Sequence, residues 1–167
     1  MTADEGERSE GEMNDSVLNG GRTLIVRVQT RVCALSLVHV IEIMRPLPVE
    51  PFAGAPSFVL GVSIVRGVPT PVVDLASIFG TSGSVPGRFV TLRLGDRQVA
   101  LSVDAVLGIR DLDGAKVQAL PPLLQEASKD LIEAIGTLDA QILMVLRAGW
   151  ELPNEVWQNL AVGEVSR

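Results

Sequence analysis

The sequence predicts an all-β protein made of two similar units of short strands. Stretches of about five to seven residues alternate apolar and polar side chains, and turn residues interrupt them at intervals of roughly 8 to 12 residues. This spacing favours small barrels over a layered α/β sheet. Residues Arg22–Ile43 also match Arg88–Ile109 at a constant offset of 66 (88 minus 22), which indicates two copies of one folding unit.

The internal repeat combines identical residues with matched apolar positions. The copies differ at several positions, and at one of them Glu42 in the first copy corresponds to Gly108 in the second. A carboxylate kept in one copy alone is a candidate for function. The identical pairs are Arg22 and Arg88, Arg27 and Arg93, Arg31 and Arg97, Ala34 and Ala100, Leu35 and Leu101, Ser36 and Ser102, Val40 and Val106, and Ile43 and Ile109.

Size and composition exclude several classes of protein. In a chain of 167 residues, a unit of about 70 residues buries only about 60% of its unfolded surface, so we expect the two units to share an interface. A net charge of −6 opposes binding to nucleic acid. No apolar run approaches the roughly 18 residues of a membrane span, and the acidic N-terminus does not resemble a secretory signal. We therefore expect a cytosolic protein without direct membrane insertion.

The first unit is expected over about residues 22–80, after an acidic tail at 1–21 that is too polar to fold. Four prolines at 46–56 predict an extended loop, followed by a helical turn at 57–60. Pro71 predicts an edge or bulge position for its strand. Residues 75–79 predict a short helix, and 81–87 a linker. The predicted strands are Arg22–Val28, Arg31–Leu37, Val40–Arg45, Val62–Arg66 and Thr70–Asp74.

The second unit is expected over about residues 88–149. Gly95 and Asp96 predict a tight hairpin turn, as do Asp139 and Ala140. Residues 111–122 are assigned to a loop. Pro153 followed by an apolar stripe predicts a short C-terminal helix over about 153–160. The predicted strands are Phe89–Leu94, Gln98–Asp104, Val106–Arg110, Ile132–Leu138 and Gln141–Leu146.

An ordered set of residues resembles the signature of CheW-like domains, the coupling proteins of bacterial chemotaxis. The similarity covers about Thr23–Leu160, nearly everything beyond the tail. Each element is weak by itself, whereas the set at these spacings is specific. Its members are Val40, Glu42 and Ile43, then Pro56, Phe58, Gly61 and Val62, then Arg66 and Gly67, then Pro71, Val72, Asp74 and Leu75, and in the second copy Val103, Asp104 and Val106.

The resemblance implies two five-stranded, SH3-like β-barrels packed side by side, with short helical segments. It also implies a non-catalytic cytoplasmic adaptor at receptor arrays beneath the inner membrane. In such an adaptor, the groove between the barrels accepts the cytoplasmic tip of a transmembrane chemoreceptor. One barrel end docks a histidine kinase, whose regulatory domain is a homologous double barrel. No cofactor and no metal are implied.

Glu42 and Arg66 fall on positions that matter for partner contacts in this family, and we predict that they pair across neighbouring strands. Val40, Ile64, Val65 and Gly67 complete the predicted partner-binding set. Ile64 and Val65 replace the Asn and Leu that usually precede Arg-Gly, which fits a divergent paralogue. Two further departures are Gly108, where an acid is common, and Arg147, where Asp is common.

Other chemically notable residues give no support for an enzyme. His39 is the one histidine and has no ligands at metal spacing, and Cys33 lies in an alternating strand typical of a buried side chain. Asp111, Asp113 and Gly114 lack the closing Glu of a calcium loop. Trp150 and Trp157 are interpreted as helix-packing residues, with interface anchors as the alternative.

Two other functions remain open at this point. The same barrels could form a ligand-sensing regulatory module, which would need a pocket with convergent polar groups. They could also form a self-assembling element of a signalling array, joined through exposed strand edges.

Overall fold

The structure is a computed structural model that describes residues 21–79, 86–112, 117–120, 122–123, 131–147 and 152–165. The predicted tail lies outside these residues except for Gly21. Trp150, Asp113, Gly114 and most of the predicted linker also lie outside them.

The all-β prediction is confirmed, because strands account for most of the described chain. A 3-10 turn at Leu37–His39 leads from β2 into β3. The strands are β1 (Arg22–Val28), β2 (Arg31–Ser36), β3 (Val40–Met44), β4 (Val59–Val65), β5 (Val68–Asp74), β6 (Arg88–Leu94), β7 (Arg97–Val103), β8 (Ala105–Asp111), β9 (Val117–Ala119), β10 (Ile132–Leu138) and β11 (Gln141–Leu146). Two of the helices in the described part of the chain are α1 (Leu75–Ile78) and α2 (Asn154–Val165).

The strands form two sheets with the same internal plan. One has the order β8-β1-β2-β11-β10-β9 and the other β3-β6-β7-β5-β4. In each, a central antiparallel hairpin (β1-β2 or β6-β7) is joined by a parallel pairing to a second hairpin (β10-β11 or β4-β5). The first sheet carries a sixth strand, β9, in a segment that the sequence analysis assigned to a loop.

The chain divides into two compact units whose boundaries differ from those of the sequence units. Unit 1 contains the described residues within 1–39 and 106–148, and unit 2 those within 40–105 and 149–167. The third strand of each repeat accounts for the difference. Strand β3 pairs with β6 of the second copy, and β8 lies beside β1 of the first. Each unit is therefore assembled from both halves of the sequence.

Each unit has its own buried core. Burial of apolar side chains is the main favourable term in the folding of each unit. In unit 2, Val72, Phe89 and Ala100 form a cluster against which residues of the strand-and-loop segment 44–49 pack. In unit 1, the cluster comprises Ile25, Val32, Ala34, Leu112, Val117, Ala134, Leu143 and Val145.

The proline-rich loop covers the outer edge of β4. Glu50 exchanges two backbone hydrogen bonds with Val62, both of 2.9 Å, and the Ser63 hydroxyl donates to the Pro48 carbonyl at 2.7 Å. Gly61 allows this approach, because a Cβ there would overlap the Glu50 carbonyl. The predicted helical turn at 57–60 is wrong, since β4 already begins at Val59.

The Pro71 strand was predicted at an edge or at a bulge, and the edge alternative is wrong, whereas the β4–β5 pairing does contain a bulge between Val59 and Gly61. β5 lies inside its sheet, between β7 and β4. The parallel pairing with β7 runs from Val72 to Asp74, whereas Pro71 pairs opposite Val62 of β4. The proline therefore precedes the part of β5 where ladder hydrogen bonds form on both sides.

The C-terminal helix packs within unit 2. α2 follows Pro153 and extends five residues beyond its predicted end at 160, to Val165. Val156 is fully buried, and the guanidinium of Arg97 lies 4.7 Å from the centroid of the Trp157 ring. This cation–π contact ties the helix to β7. Trp157 thus packs as the helix-packing interpretation expects.

Candidate functional site

Glu42 lies on β3, at one edge of the five-stranded sheet. β3 pairs with β6, and the register shifts between Val40 and Glu42, so one extra residue of β3 bulges out before Glu42. Beyond the bulge, Glu42 lies opposite Thr91, which is buried. The bulge therefore sets the direction of the Glu42 side chain.

Arg66 is the first residue of the two-residue turn between β4 and β5. Its φ is 48° and that of Gly67 is 80°. Two consecutive left-handed residues give the turn that matches the twist of a β-hairpin. Arginine occupies this conformation at a cost that glycine avoids. The turn fixes the backbone from which the Arg66 side chain extends.

The two side chains form a bidentate ion pair. Arg66 Nε donates to Glu42 Oε1, and Nη2 donates to Oε2, each at 2.8 Å. The predicted pairing is therefore present, but the partners are not on neighbouring strands. β3 and β4 lie at opposite edges of the sheet order, so the pair joins the two edges of one curled sheet.

Electrostatics make this pair a fixed couple of opposite charges. The hydrogen bonds from Arg66 and its positive charge lower the pKa of Glu42, and desolvation opposes this only in part. The same contacts raise the pKa of Arg66. The Arg66 side chain is 77% exposed and that of Glu42 25% exposed. Both groups stay ionised near neutral pH and face solvent.

The other predicted contact residues occupy different environments. Ile64 is 56% exposed, Gly67 lies in the exposed turn, and Val40 is half-buried. Val65 is 2% exposed and belongs to the core, so its prediction as a surface contact needs correction. The reason is the alternation along β4, which turns Ser63 and Val65 inward and Ile64 outward.

Sequence reasoning missed exposed apolar side chains on both sides of the pair. Val68 follows the turn, and Ile41 and Ile43 alternate with Glu42 on β3; all three are exposed. The alternation of β3 contained a usable signal, since Ile41 and Ile43 must face away from Glu42. Val68 therefore lies next to the turn that carries Arg66, whereas Ile41 and Ile43 form an exposed apolar face of β3 opposite to the Glu42 side chain.

Unit 1 carries a comparable ion pair with reversed polarity. Arg110 Nη2 on β8 donates to Asp139 Oδ2 at 2.8 Å. Asp139 opens the turn between β10 and β11, with φ of 50°, and Ala140 follows with φ of 64°. The basic group is on the edge strand here, whereas in unit 2 it is in the turn.

No group of His, Cys, Asp and Glu side chains within the described ranges is arranged to hold a metal ion. Cys33 is buried, and this burial raises the pKa of its thiol to about 12. A thiol with this pKa is a poor nucleophile at neutral pH.

Comparison with known proteins gives a consistent family. Residues 22–149 match the model of the CheW-like domain. The chemotaxis protein CheW of Rhizobium meliloti is 27% identical over 141 residues, covering 82% of this chain and 91% of that protein. The chemotaxis protein CheW of Klebsiella aerogenes is 25% identical over 130 residues, covering 76% of this chain and 78% of the relative.

A solved structure has the same fold. The crystal structure of the scaffolding protein TtCheW from Thermoanaerobacter tengcongensis superposes with a TM-score of 0.67 at 20% identity, over 79% of this chain and 97% of that one. The matched domain spans both units and contains Glu42 and Arg66. The chain therefore belongs to the CheW-like domain family.

Proposed function

We propose that this protein is a non-catalytic adaptor that couples chemoreceptors to a histidine kinase in a chemotaxis-type signalling array. Its partners are the cytoplasmic tip of a receptor and the regulatory domain of the kinase. The observation that carries the proposal is the bidentate Glu42–Arg66 pair, within a domain of the CheW-like family. The names of its relatives, a chemotaxis protein and a scaffolding protein, agree with this role.

The chemistry of the pair favours recognition over catalysis. A general acid or base works best when its pKa lies near the operating pH. The pKa of Glu42 is lowered and that of Arg66 raised, so both shifts move away from neutrality. The pair instead presents one fixed negative and one fixed positive charge, and such complementary charges set the register of a docking partner.

The surroundings of the pair fit a protein partner. Ile64 and Val68 are exposed on either side of the turn that carries Arg66. Protein interfaces combine apolar contact with directed polar contact. The guanidinium has five N–H donors, of which Glu42 engages Nε and Nη2, so it can bind a partner carboxylate while it stays paired.

An adaptor of this kind acts through geometry. Holding two partners on one scaffold raises their mutual effective concentration to about the millimolar range, with no covalent bond made or broken.

In the described part of the chain, no helix has the length and apolar character needed to span a membrane. We place the protein in the cytoplasm, at receptor arrays beneath the inner membrane.

The test is binding of purified partner fragments to charge-reversal variants. We expect Glu42→Lys and Arg66→Glu each to weaken binding of the kinase regulatory domain or of the receptor tip by at least tenfold, with an unchanged circular dichroism spectrum. Arg110→Glu is the matched control, since it breaks the comparable pair of unit 1. Unchanged affinity for both partners in both unit 2 variants would refute the proposal.

Self-association is a second candidate, favoured by apolar side chains on a sheet edge. Leu107 and Ile109 are exposed on β8, which ends the order of the six-stranded sheet. An edge strand of this kind can pair with another chain. Sedimentation of the isolated protein across a hundredfold concentration range tests this. A constant monomer mass would exclude it, whereas larger species that are lost in Leu107→Ser would support it.

A further inference from the structure

The side chain of Thr91 bonds to the backbone of Glu42 at the bulge. Its Oγ1 accepts from the Glu42 N–H at 3.2 Å and lies 3.3 Å from the Glu42 carbonyl, to which it donates. Thr91 is 1% exposed and stands in a run of buried apolar residues on β6. Burying a hydroxyl is costly unless it is hydrogen-bonded. Both hydrogen bonds of the Thr91 hydroxyl are made with the backbone of Glu42, the residue that pairs with Arg66.

The bulge decides which residue of β3 faces Thr91. Val40 lies opposite Leu92, and Glu42 lies opposite Thr91. Without the extra residue, the same register would place Ile41 opposite Thr91 and Glu42 opposite Val90. A shift by one residue exchanges the two faces of a strand. The carboxylate would then point away from the face on which it meets Arg66.

Unit 1 contains the same type of arrangement. The hydroxyl of Thr23 on β1 donates to the carbonyl of Arg110 at 2.8 Å, and Arg110 forms the ion pair with Asp139. Thr23 is also fully buried. In both units, therefore, a buried threonine beside the edge strand binds the backbone of the residue whose side chain reaches across to a hairpin turn.

The two arrangements are displaced by two residues along the repeat. At the offset of 66, Arg110 corresponds to Met44 and Thr23 to Phe89. Met44 and Phe89 are opposite each other in unit 2, next to the Glu42 and Thr91 pair. A displacement of two keeps the side chains on the same face of the strand. A buried threonine bonded to an ion-pair residue thus occurs in both units, at different positions of the repeat and with opposite charges on the ion-pair residue.

We propose that Thr91 is a positioning residue for the Glu42–Arg66 pair, because its hydroxyl fixes the bulge that presents the Glu42 carboxylate to Arg66. The inference rests on the proposed function for its consequence in partner binding. The positioning of the Glu42 carboxylate by Thr91 can be measured in the isolated protein, without any partner.

The test compares Thr91→Val with Thr91→Ser by NMR titration of the Glu42 carboxyl carbon. Valine keeps the branched shape and removes the hydroxyl, whereas serine keeps the hydroxyl. In Thr91→Val we expect the Glu42 pKa to rise toward the value in Arg66→Gln, and in Thr91→Ser to stay near the wild-type value. Thr70→Val is the matched control, because Thr70 is a buried threonine of the same sheet whose hydroxyl bonds to Val68 and Gln98.

A general loss of stability does not predict this pattern. If Thr91→Val and Thr70→Val move the Glu42 pKa equally, or if neither moves it, the positioning role is overturned. Should Thr91→Val fail to fold, amide exchange in the wild-type protein remains decisive. Slow exchange of the Glu42 N–H is expected, and exchange at the rate of an open chain would refute the bond to Thr91.

Partner binding separates this inference from the proposed function. We expect Thr91→Val to weaken binding of the partner that depends on Glu42 by roughly fivefold, which is the usual order of effect when a neutral hydrogen-bonding group is removed. If Glu42→Lys abolishes binding and Thr91→Val leaves both the pKa and the affinity unchanged, the positioning role fails and the adaptor function stands. If Thr91→Val shifts the pKa and Glu42→Lys still binds normally, the adaptor site fails and the positioning role stands.

Discussion

Asp139 in unit 1 and Arg66 in unit 2 are structural counterparts with opposite charges. Each is the first of two left-handed residues in a hairpin turn, with φ of 50° and 48°, and each pairs with a residue on an edge strand. Each unit thus has an ion pair between a hairpin turn and an edge strand, and the positions of the positive and negative groups are exchanged between the units.

Protonation of Glu42 gives the first prediction. The pKa of Glu42 is lower in the folded protein than in the unfolded chain. The ion pair with Arg66 therefore stabilises the fold fully above the unfolded pKa of a glutamate, and this stabilisation is lost as pH falls through the folded pKa of Glu42. Replacing Arg66 by Gln removes the guanidinium whose hydrogen bonds contribute most to lowering this pKa. We expect the Glu42 pKa to rise in Arg66→Gln and not in Arg110→Gln, as measured by NMR titration. An identical Glu42 pKa in wild type and Arg66→Gln would contradict the ion pair.

The turn residues give a second prediction, on stability. Ala140 has φ of 64°, which strains a residue with a Cβ. Ala140→Gly should raise the free energy of unfolding by about 0.5–1 kcal/mol, net of the added entropy of the unfolded chain. Gly67→Ala, at φ of 80°, should lower it by about 1 kcal/mol. Urea denaturation measures both, and a destabilised Ala140→Gly would show that the turn has another conformation.

Gly61 gives a third prediction, on the proline-rich loop. A methyl group at this position would overlap the Glu50 carbonyl and break the backbone pairing between Glu50 and Val62. Gly61→Ala should cost about 2–3 kcal/mol of stability. It should also speed amide exchange at Glu50 more than at residues of unit 1. Gly95→Ala is the control, since nothing lies within 4 Å of a Cβ there; equal losses in both variants would argue against the clash.

Cys33 gives a fourth prediction, on alkaline stability and reactivity. Burial raises the pKa of the thiol to about 12 from 9.0, so its stabilising contribution is complete below pH 9 and declines as pH rises toward 12. The slope approaches about 1.4 kcal/mol per pH unit once the unfolded thiol is ionised. Cys33→Ala should lack this component in urea titrations at pH 8 to 10.5. Rapid alkylation of the native thiol at pH 8 would contradict its burial.

The local strands were predictable because turns and alternation are local signals. Three hairpin turns, which begin at Gln29, Gly95 and Asp139, lie where turn residues interrupt alternating stretches. The repeat at offset 66 also has a structural basis, since both sheets follow one plan. The strands and their hairpin turns depend on residues that are close in sequence.

The features that were not predictable depend on pairing between distant segments. Nothing local reveals that β3 pairs with β6, or that Pro71 lies inside a sheet. The sequence does not show which face of β4 is buried, because Val62 and Ile64 are as apolar as Val65. Val65 was therefore predicted on the surface, although it lies in the core. Thr91 carried no signal, since its role depends on a bulge in another strand.

Bridging of two partners is the most direct test of the adaptor function. Purified receptor fragments, assembled on vesicles, are sedimented with the kinase regulatory domain, with or without this protein. The kinase domain should sediment in its presence, remain in the supernatant in its absence, and sediment far less with Arg66→Glu than with Asp139→Arg. If it never sediments with the receptors, or does so equally without this protein, the chain is not the coupling element.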